Sequence, residues 1–194
     1  MLKHLQTLNG HQNPIYALSD GLSTDTFYSA GNDKGVVEWS LERLAFVSVL
    51  VPVQSSVYAL HRVDQLLFIA QRSGVILVYD LAEKIIKATL SFHKKAVFDL
   101  KSIPHKQELI STGEDGNVAV WSIKDYSLLY NFSVVSDTVR VIAVSNDEQE
   151  VALGCKDGLI RIYNSTDFAF QREHIGHKLP ITSLQYAPAG NLLI

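Results

Sequence analysis

The sequence predicts an all-β protein built from one four-stranded antiparallel unit repeated along the chain. Three observations predict it. Aromatic residues that close similar segments, Trp39, Tyr79, Trp121 and Tyr163, are spaced 40, 42 and 42 residues apart. Glycines just upstream, Gly35, Gly74, Gly116 and Gly158, step by 39, 42 and 42. The apolar residues Ile15, Val57, Val97, Val139 and Ile181 step by 42, 40, 42 and 42. Landmarks of three kinds with one period mark a repeat architecture, whose units bury a continuous core by stacking on their neighbours.

Each element of the unit has its own signal. Val75-Ile76-Leu77-Val78-Tyr79, Val118-Ala119-Val120-Trp121 and Ile160-Arg161-Ile162-Tyr163 are short, β-branched and aromatic-ended, as strands are. Tight turns precede them at Asn32-Asp33-Lys34-Gly35, Glu114-Asp115-Gly116-Asn117 and Lys156-Asp157-Gly158, because Asp and Gly tolerate the positive φ of a two-residue hairpin turn. The clearest unit reads as strands at 96–100, 108–112, 117–122 and 128–133. Residues 81–90 have helical spacing, but their phase in the repeat makes them a connector and a fourth strand. The phase divides the chain into units at 10–51, 52–91, 92–133 and 134–175, with part of a fifth at 176–194. In that part, Ile181 to Tyr186 reads as a first strand and Asn191 to Ile194 as the start of a second. Residues 1–9 read as the closing strand of a further unit. The expectation is a fragment of a longer array with open strand edges, prone to pair with other chains.

Composition excludes several classes of function. With 194 residues and 47% apolar content, the chain is ordinary for a globular protein. A net charge of -3 gives no basic surplus for phosphate contacts, so no nucleic-acid partner is expected. No apolar run reaches the ~18–20 residues of a membrane span, and residues 1–6 lack the apolar core of a secretory signal. A cytoplasmic protein is the expectation. The single cysteine excludes an internal disulfide framework and a thiolate zinc site. No Gly-x-x-x-x-Gly-Lys phosphate loop occurs, and no cofactor or metal is expected. Cys155 reads as a small buried hydrophobe, and His61, His105 and His174 as surface residues at no metal-ligand spacing.

One constellation invites a catalytic reading. His11, Ser29, Asp33 and Trp39 recur 82 residues later as His93, Ser111, Asp115 and Trp121. Ser, His and Asp are the ingredients of a hydrolase triad. The second copy argues against catalysis, because a structural device recurs with its repeat, and no Gly-x-Ser-x-Gly elbow presents an activated serine. The second unit has Val53, Ile69 and Ser73 at the His, Ser and Asp positions, and the fourth has Val135, Leu153 and Asp157. Those two units are expected to rely on apolar packing.

Four strands every ~40–45 residues, with Gly-His and Trp-Asp type positions, resemble the WD-repeat (WD40-type) β-propeller family. The resemblance lies at Gly10-His11, Phe92-His93 and Gly176-His177, and at Trp39-Ser40, Tyr79-Asp80, Trp121-Ser122 and Tyr163-Asn164, and extends over residues 1 to 194. Only Asp80 keeps the family's aspartate after the aromatic. The resemblance implies four complete blades and part of a fifth, a truncated ring of about seven. It further implies that each His, Ser, Asp and Trp set forms a buried hydrogen-bonded chain within its blade.

The resemblance also implies a non-enzymatic scaffold that holds a protein or peptide partner on the channel-mouth face. Carried onto this sequence, one set of face positions is Tyr16, Tyr58, Phe98 and Arg140, followed by Thr182. A second is Pro14, Ser56, Ala96, Thr138 and Pro180, and a third is Asn32, Arg72, Glu114 and Lys156. Tyr and Arg are residue types that commonly anchor interfaces. Inward packing of the aromatics between blades is the alternative, although Ile15, Val57 and Val97 already claim the inward face by alternation. A second functional reading, a metal-dependent hydrolase with its site in the central channel, would want carboxylates and histidines at these positions instead.

Overall fold

The structure is a computed structural model and describes residues 3, 4 and 6–188. Among them, sixteen strands form four separate four-stranded sheets. The first sheet is β1 (Ile15–Asp20), β2 (Thr26–Gly31), β3 (Gly35–Ser40) and β4 (Ala45–Pro52). The second is β5 (Val57–Val63), β6 (Leu66–Gln71), β7 (Val75–Asp80) and β8 (Ile85–Ser91). The third is β9 (Val97–Ile103), β10 (Glu108–Gly113), β11 (Asn117–Ser122) and β12 (Leu128–Ser133). The fourth is β13 (Val139–Val144), β14 (Glu150–Cys155), β15 (Leu159–Asn164) and β16 (Phe170–Ile175). Each is an antiparallel meander in chain order, consistent with a WD40 blade. Residues 85–91 form β8, so repeat phase and not helical spacing governs that segment.

The burial of each strand explains its composition. Strands β6, β10 and β14 are buried along almost their whole length; β6 and β14 are accordingly mostly apolar, whereas β10 buries Ser111 and Thr112 beside Leu109 and Ile110. By contrast, β16 is exposed throughout and carries Gln171, Arg172, Glu173 and His174. One hydrophobic cluster joins the first sheet to the second, through Tyr28, Val36, Val51 and Val57 among others. Another joins the second to the third through Phe68, Ile76, Val97 and Trp121. A third, with Ile110, Val120, Ile142 and Leu153, joins the third to the fourth. Strands β1, β5, β9 and β13 pack against one another in that order. The repeat thus stacks each sheet on the previous one, with the landmarks Val57, Val97 and Val139 among the contact points.

The turns correct one landmark. The residue before the third strand has positive φ in the last three units, at Gly74 (90°), Gly116 (70°) and Gly158 (83°). In the first unit that conformation falls on Lys34 (φ 56°), and Gly35 already belongs to β3. Lys34, not Gly35, is therefore the counterpart of the three glycines, and the landmark then steps by 40, 42 and 42, as the aromatics do. A lysine held there is strained by about 1 kcal/mol relative to glycine.

Other expectations are also corrected. Val57, Val97 and Val139 are fully buried, but Ile15 is 48% exposed, and Leu18 is 66% exposed where its counterparts Leu60, Leu100 and Ile142 are buried. Those counterparts are covered by the preceding sheet, and no described residue covers β1 in that way. Ile181 to Tyr186 forms no strand, only an isolated bridge at Tyr186. The segment still packs like an inner strand: Ile181, Leu184 and Tyr186 are buried against Val141, Ala152 and Ile162. The described residues within 1–9 form no strand either. A strand needs a run of ladder bonds, whereas the Ile181 N–H makes a single bond to the Cys155 carbonyl at 3.1 Å. The second strand expected at Asn191 to Ile194 lies outside the described residues.

Candidate functional site

Every first strand carries a β-bulge at the same place. The pairing slips between Ile15 and Ala17, between Val57 and Ala59, between Val97 and Asp99, and between Val139 and Val141. The unpaired extra residues are Tyr16, Tyr58, Phe98 and Arg140. A bulge breaks the two-residue alternation and re-aims one side chain, so the inward burial of Val57, Val97 and Val139 does not fix where their successors point. The re-aimed side chains form a ladder across the sheets. The Tyr16 and Tyr58 ring centroids lie 5.2 Å apart, those of Tyr58 and Phe98 lie 5.4 Å apart, and the Arg140 guanidinium carbon sits 5.3 Å from the Phe98 centroid. These are favourable aromatic and cation–π separations. The ladder lines a depression of about 320 Å³ together with Asp99, Lys101 and Thr182.

The rim is built from the turns at the same end of the sheets. Asn32, Arg72, Glu114 and Lys156 are exposed. Their backbone N–H groups donate to Pro14, Ser56, Ala96 and Thr138 at 3.1, 2.8, 2.8 and 3.0 Å respectively. The second and third sets of face positions are therefore fastened together unit by unit. Asn32 Oδ1 also accepts the Ser56 hydroxyl at 2.6 Å, tying the first sheet to the second. Deeper in the depression, Asp99 accepts the backbone N–H groups of Leu100 and Ile142, both at 2.8 Å. Burial raises the Asp99 pKa despite the nearby Lys101 cation. Arg140 Nε is buried and donates to no described group.

The two His, Ser, Asp and Trp sets are assembled inside the first and third sheets. In the first, His11 Nδ1 lies 2.5 Å from Asp33, and Ser29 Oγ lies 2.6 Å from both His11 Nε2 and Trp39 Nε1. In the third, His93 Nδ1 lies 3.1 Å from Asp115, and Ser111 Oγ lies 2.9 Å from both His93 Nε2 and Trp121 Nε1. With Nδ1–H donating to the carboxylate and the indole N–H donating to the hydroxyl, the hydroxyl proton is free to reach Nε2. Burial alone would raise the Asp115 pKa, but bonds from His93, Lys94 and Asn117 outweigh it and hold the carboxyl at about 2. Asp33 is lowered likewise, by Asn13 and His11 against burial. Each serine is enclosed by its own sheet and its hydroxyl is occupied by two nitrogens.

The fourth unit does not rely on apolar packing alone. Arg161, buried in β15, donates to both oxygens of Asp157 at 3.2 and 2.7 Å. This pair lowers the Asp157 pKa and raises that of Arg161. Arginine takes the partner that histidine takes in the first and third units. The signal in the sequence was an arginine at an inward position, between Ile160 and Ile162. His61 is likewise not a surface residue: its Nε2 accepts the Ser102 backbone N–H at 3.1 Å and meets the Ser102 hydroxyl at 2.9 Å, joining the second sheet to the third. Burial and then the Lys101 charge lower its pKa to about 4. Cys155 is buried and free, with its pKa raised by burial. Asp80, the one retained aspartate after the aromatic, accepts the Ala82 and Glu83 N–H groups at 2.9 Å and closes the β7–β8 turn. No group of three or more His, Cys, Asp or Glu suited to a metal ion occurs among the described residues.

Comparison with known proteins agrees with this geometry. The family model described as "WD domain, G-beta repeat" matches residues 2–40 and 85–122, the segments that hold the two hydrogen-bonded sets. The chain is 25% identical over 130 residues to "WD repeat-containing protein 90" of Xenopus tropicalis, covering 63% of the chain and 7% of that protein. It is 23% identical over 128 residues to the Mus musculus protein of the same description, with the same coverage of 63% and 7%. The chain thus matches only a small part of these relatives' length. Repeat period, blade-like sheets and matched segments together support the WD40 repeat family for this chain.

Proposed function

We propose that the protein is a non-enzymatic interaction scaffold, and that its sheets belong to a propeller whose channel-mouth face holds a protein or peptide partner. WD40 repeats are typically scaffolds for protein interaction, which supports the class. The observation that carries the choice of face is the bulge repeated in all four sheets. It places Tyr16, Tyr58, Phe98 and Arg140 side by side, where large side chains with polar handles can anchor a ligand. Asn32, Arg72, Glu114 and Lys156 supply a mixed-charge rim, suited to selecting one partner by charge pattern. The metal-dependent hydrolase reading finds no support at the mouth, where three aromatics and an arginine stand. Asp99, the carboxylate there, is engaged by two backbone N–H groups.

The test is capture from extract by wild type and by a Tyr58→Ala, Phe98→Ala double variant. Both rings are only half-buried, so the double variant should keep the wild-type circular dichroism spectrum. Loss of the captured partners with an intact fold is the expected result. Retention of the same partners would rule out this face.

A further inference from the structure

The ladder of bulged residues ends on the one charged member it has, and that member lacks a counter-ion. The Arg140 guanidinium lies against Phe98, its carbon 5.3 Å from the ring centroid. Its Nε is buried without an acceptor, and Arg140 forms no ion pair among the described residues. Lys101 lines the same depression and forms no ion pair among the described residues either. The carboxylate in that lining is Asp99, and each of its oxygens accepts a backbone N–H at 2.8 Å. Two cations without counter-ions therefore share the mouth with one carboxylate that is already engaged. The surrounding loops have the same sign. On the connectors at this end (10–14, 53–56, 92–96, 134–138 and 176–180) and its turns (32–34, 72–74, 114–116 and 156–158), six Lys or Arg stand against five Asp or Glu. The chain as a whole carries a net charge of -3, so the balance at this end is of opposite sign.

On the basis of the ladder as partner face, which this step presupposes, we propose that the partner peptide seats an acidic side chain, a glutamate or an aspartate, at Arg140. A guanidinium presents its donors in a planar fork that matches a carboxylate, and a buried donor without an acceptor is where such a group gains most. Contact with Phe98 holds the fork in place before the ligand arrives, so less freedom is lost on binding. Lys101 adds a second positive charge to the same depression. A basic occupant fits poorly, although aromatic faces attract cations. The Phe98 ring already receives Arg140, the Tyr16, Tyr58 and Phe98 rings pack on one another, and an incoming cation would meet two cations at the mouth.

A random peptide library displayed on phage is selected on the immobilised full chain and counter-screened on the Tyr58→Ala, Phe98→Ala double variant. Peptides that bind the wild type and not the double variant report on the ladder face. These should be enriched in Glu and Asp, and replacing the acidic residue of a synthetic copy by its amide should weaken binding by about tenfold or more in calorimetry. That change is made in the peptide, so its reading does not depend on the folding of a protein variant. Selection on an Arg140→Glu variant with the wild-type circular dichroism spectrum should yield Lys and Arg in place of the acids. Ladder-dependent peptides without an acidic excess, or with binding unchanged by the amide replacement, would overturn the acidic anchor and leave the face standing. A selection that yields no ladder-dependent peptide would overturn the face itself, and the anchor with it.

Discussion

Replacing Asp115 with alanine tests the reading of the buried sets as structural. Asp115 accepts from His93 Nδ1 at 3.1 Å, from the Lys94 N–H at 2.9 Å and from the Asn117 N–H at 3.2 Å. Lys94 is exposed, so water replaces the lost acceptor there at little cost. The imidazole of His93 has no such recourse, because its side chain is 0% exposed. Leaving one buried donor unsatisfied costs about 1–3 kcal/mol, and losing charge-assisted bonds to the turn adds to it. The total is about 2–4 kcal/mol. For a chain of this size each kcal/mol moves the melting temperature by about 2–4 °C, so a fall of about 5–15 °C is expected by calorimetry. Asp115→Asn keeps an acceptor oxygen and should lose roughly half as much. A shift below about 2 °C for Asp115→Ala would mean that the set does not hold the third sheet together.

Further outcomes follow from the same structure. Lys34→Gly should raise stability by about 1 kcal/mol by relieving the positive φ, and Gly116→Ala should lower it, since a Cβ there would meet Ser136 O at 2.7 Å; urea unfolding measures both. The His61 pKa of about 4 is below the ordinary value of 6.5, so the unfolded chain binds the proton more readily. Stability from this site is therefore complete above pH 6.5 and is lost as pH falls toward 4, by up to about 3 kcal/mol. His61→Gln should flatten that part of the wild-type pH profile in thermal melts. Exposed Ile15 and Leu18 should drive self-association, so an Ile15→Asp, Leu18→Asp variant should show a smaller mass than wild type by light scattering; a wild-type monomer would contradict this.

The period, the four-stranded unit and the residues of both hydrogen-bonded sets were legible because each recurs with the repeat. What was not legible departs from the repeat. Lys34 takes a conformation that composition assigns to Gly35, since the backbone there is set by the hairpin and not by the residue. Arg161 was overlooked because its partner Asp157 is reached along a strand, four residues back. Ile15 matches Val57 in sequence, but its burial depends on a neighbouring sheet and not on its own identity. His61 bonds across sheets to Ser102, and no local pattern announces such a contact. The face positions came from the family resemblance, and the bulge that aims them was not legible, because a one-residue slip in pairing leaves no mark on composition.

The central claim is that a partner lies on the ladder of bulged residues. Site-specific photo-crosslinking addresses it most directly, with a benzophenone amino acid placed at position 58 and, as a control, at the exposed position 42 on the β3–β4 turn. In cell extract the account predicts a discrete crosslinked adduct from position 58 and none of that mass from position 42. An adduct that forms equally from both positions, or from position 42 alone, would contradict it.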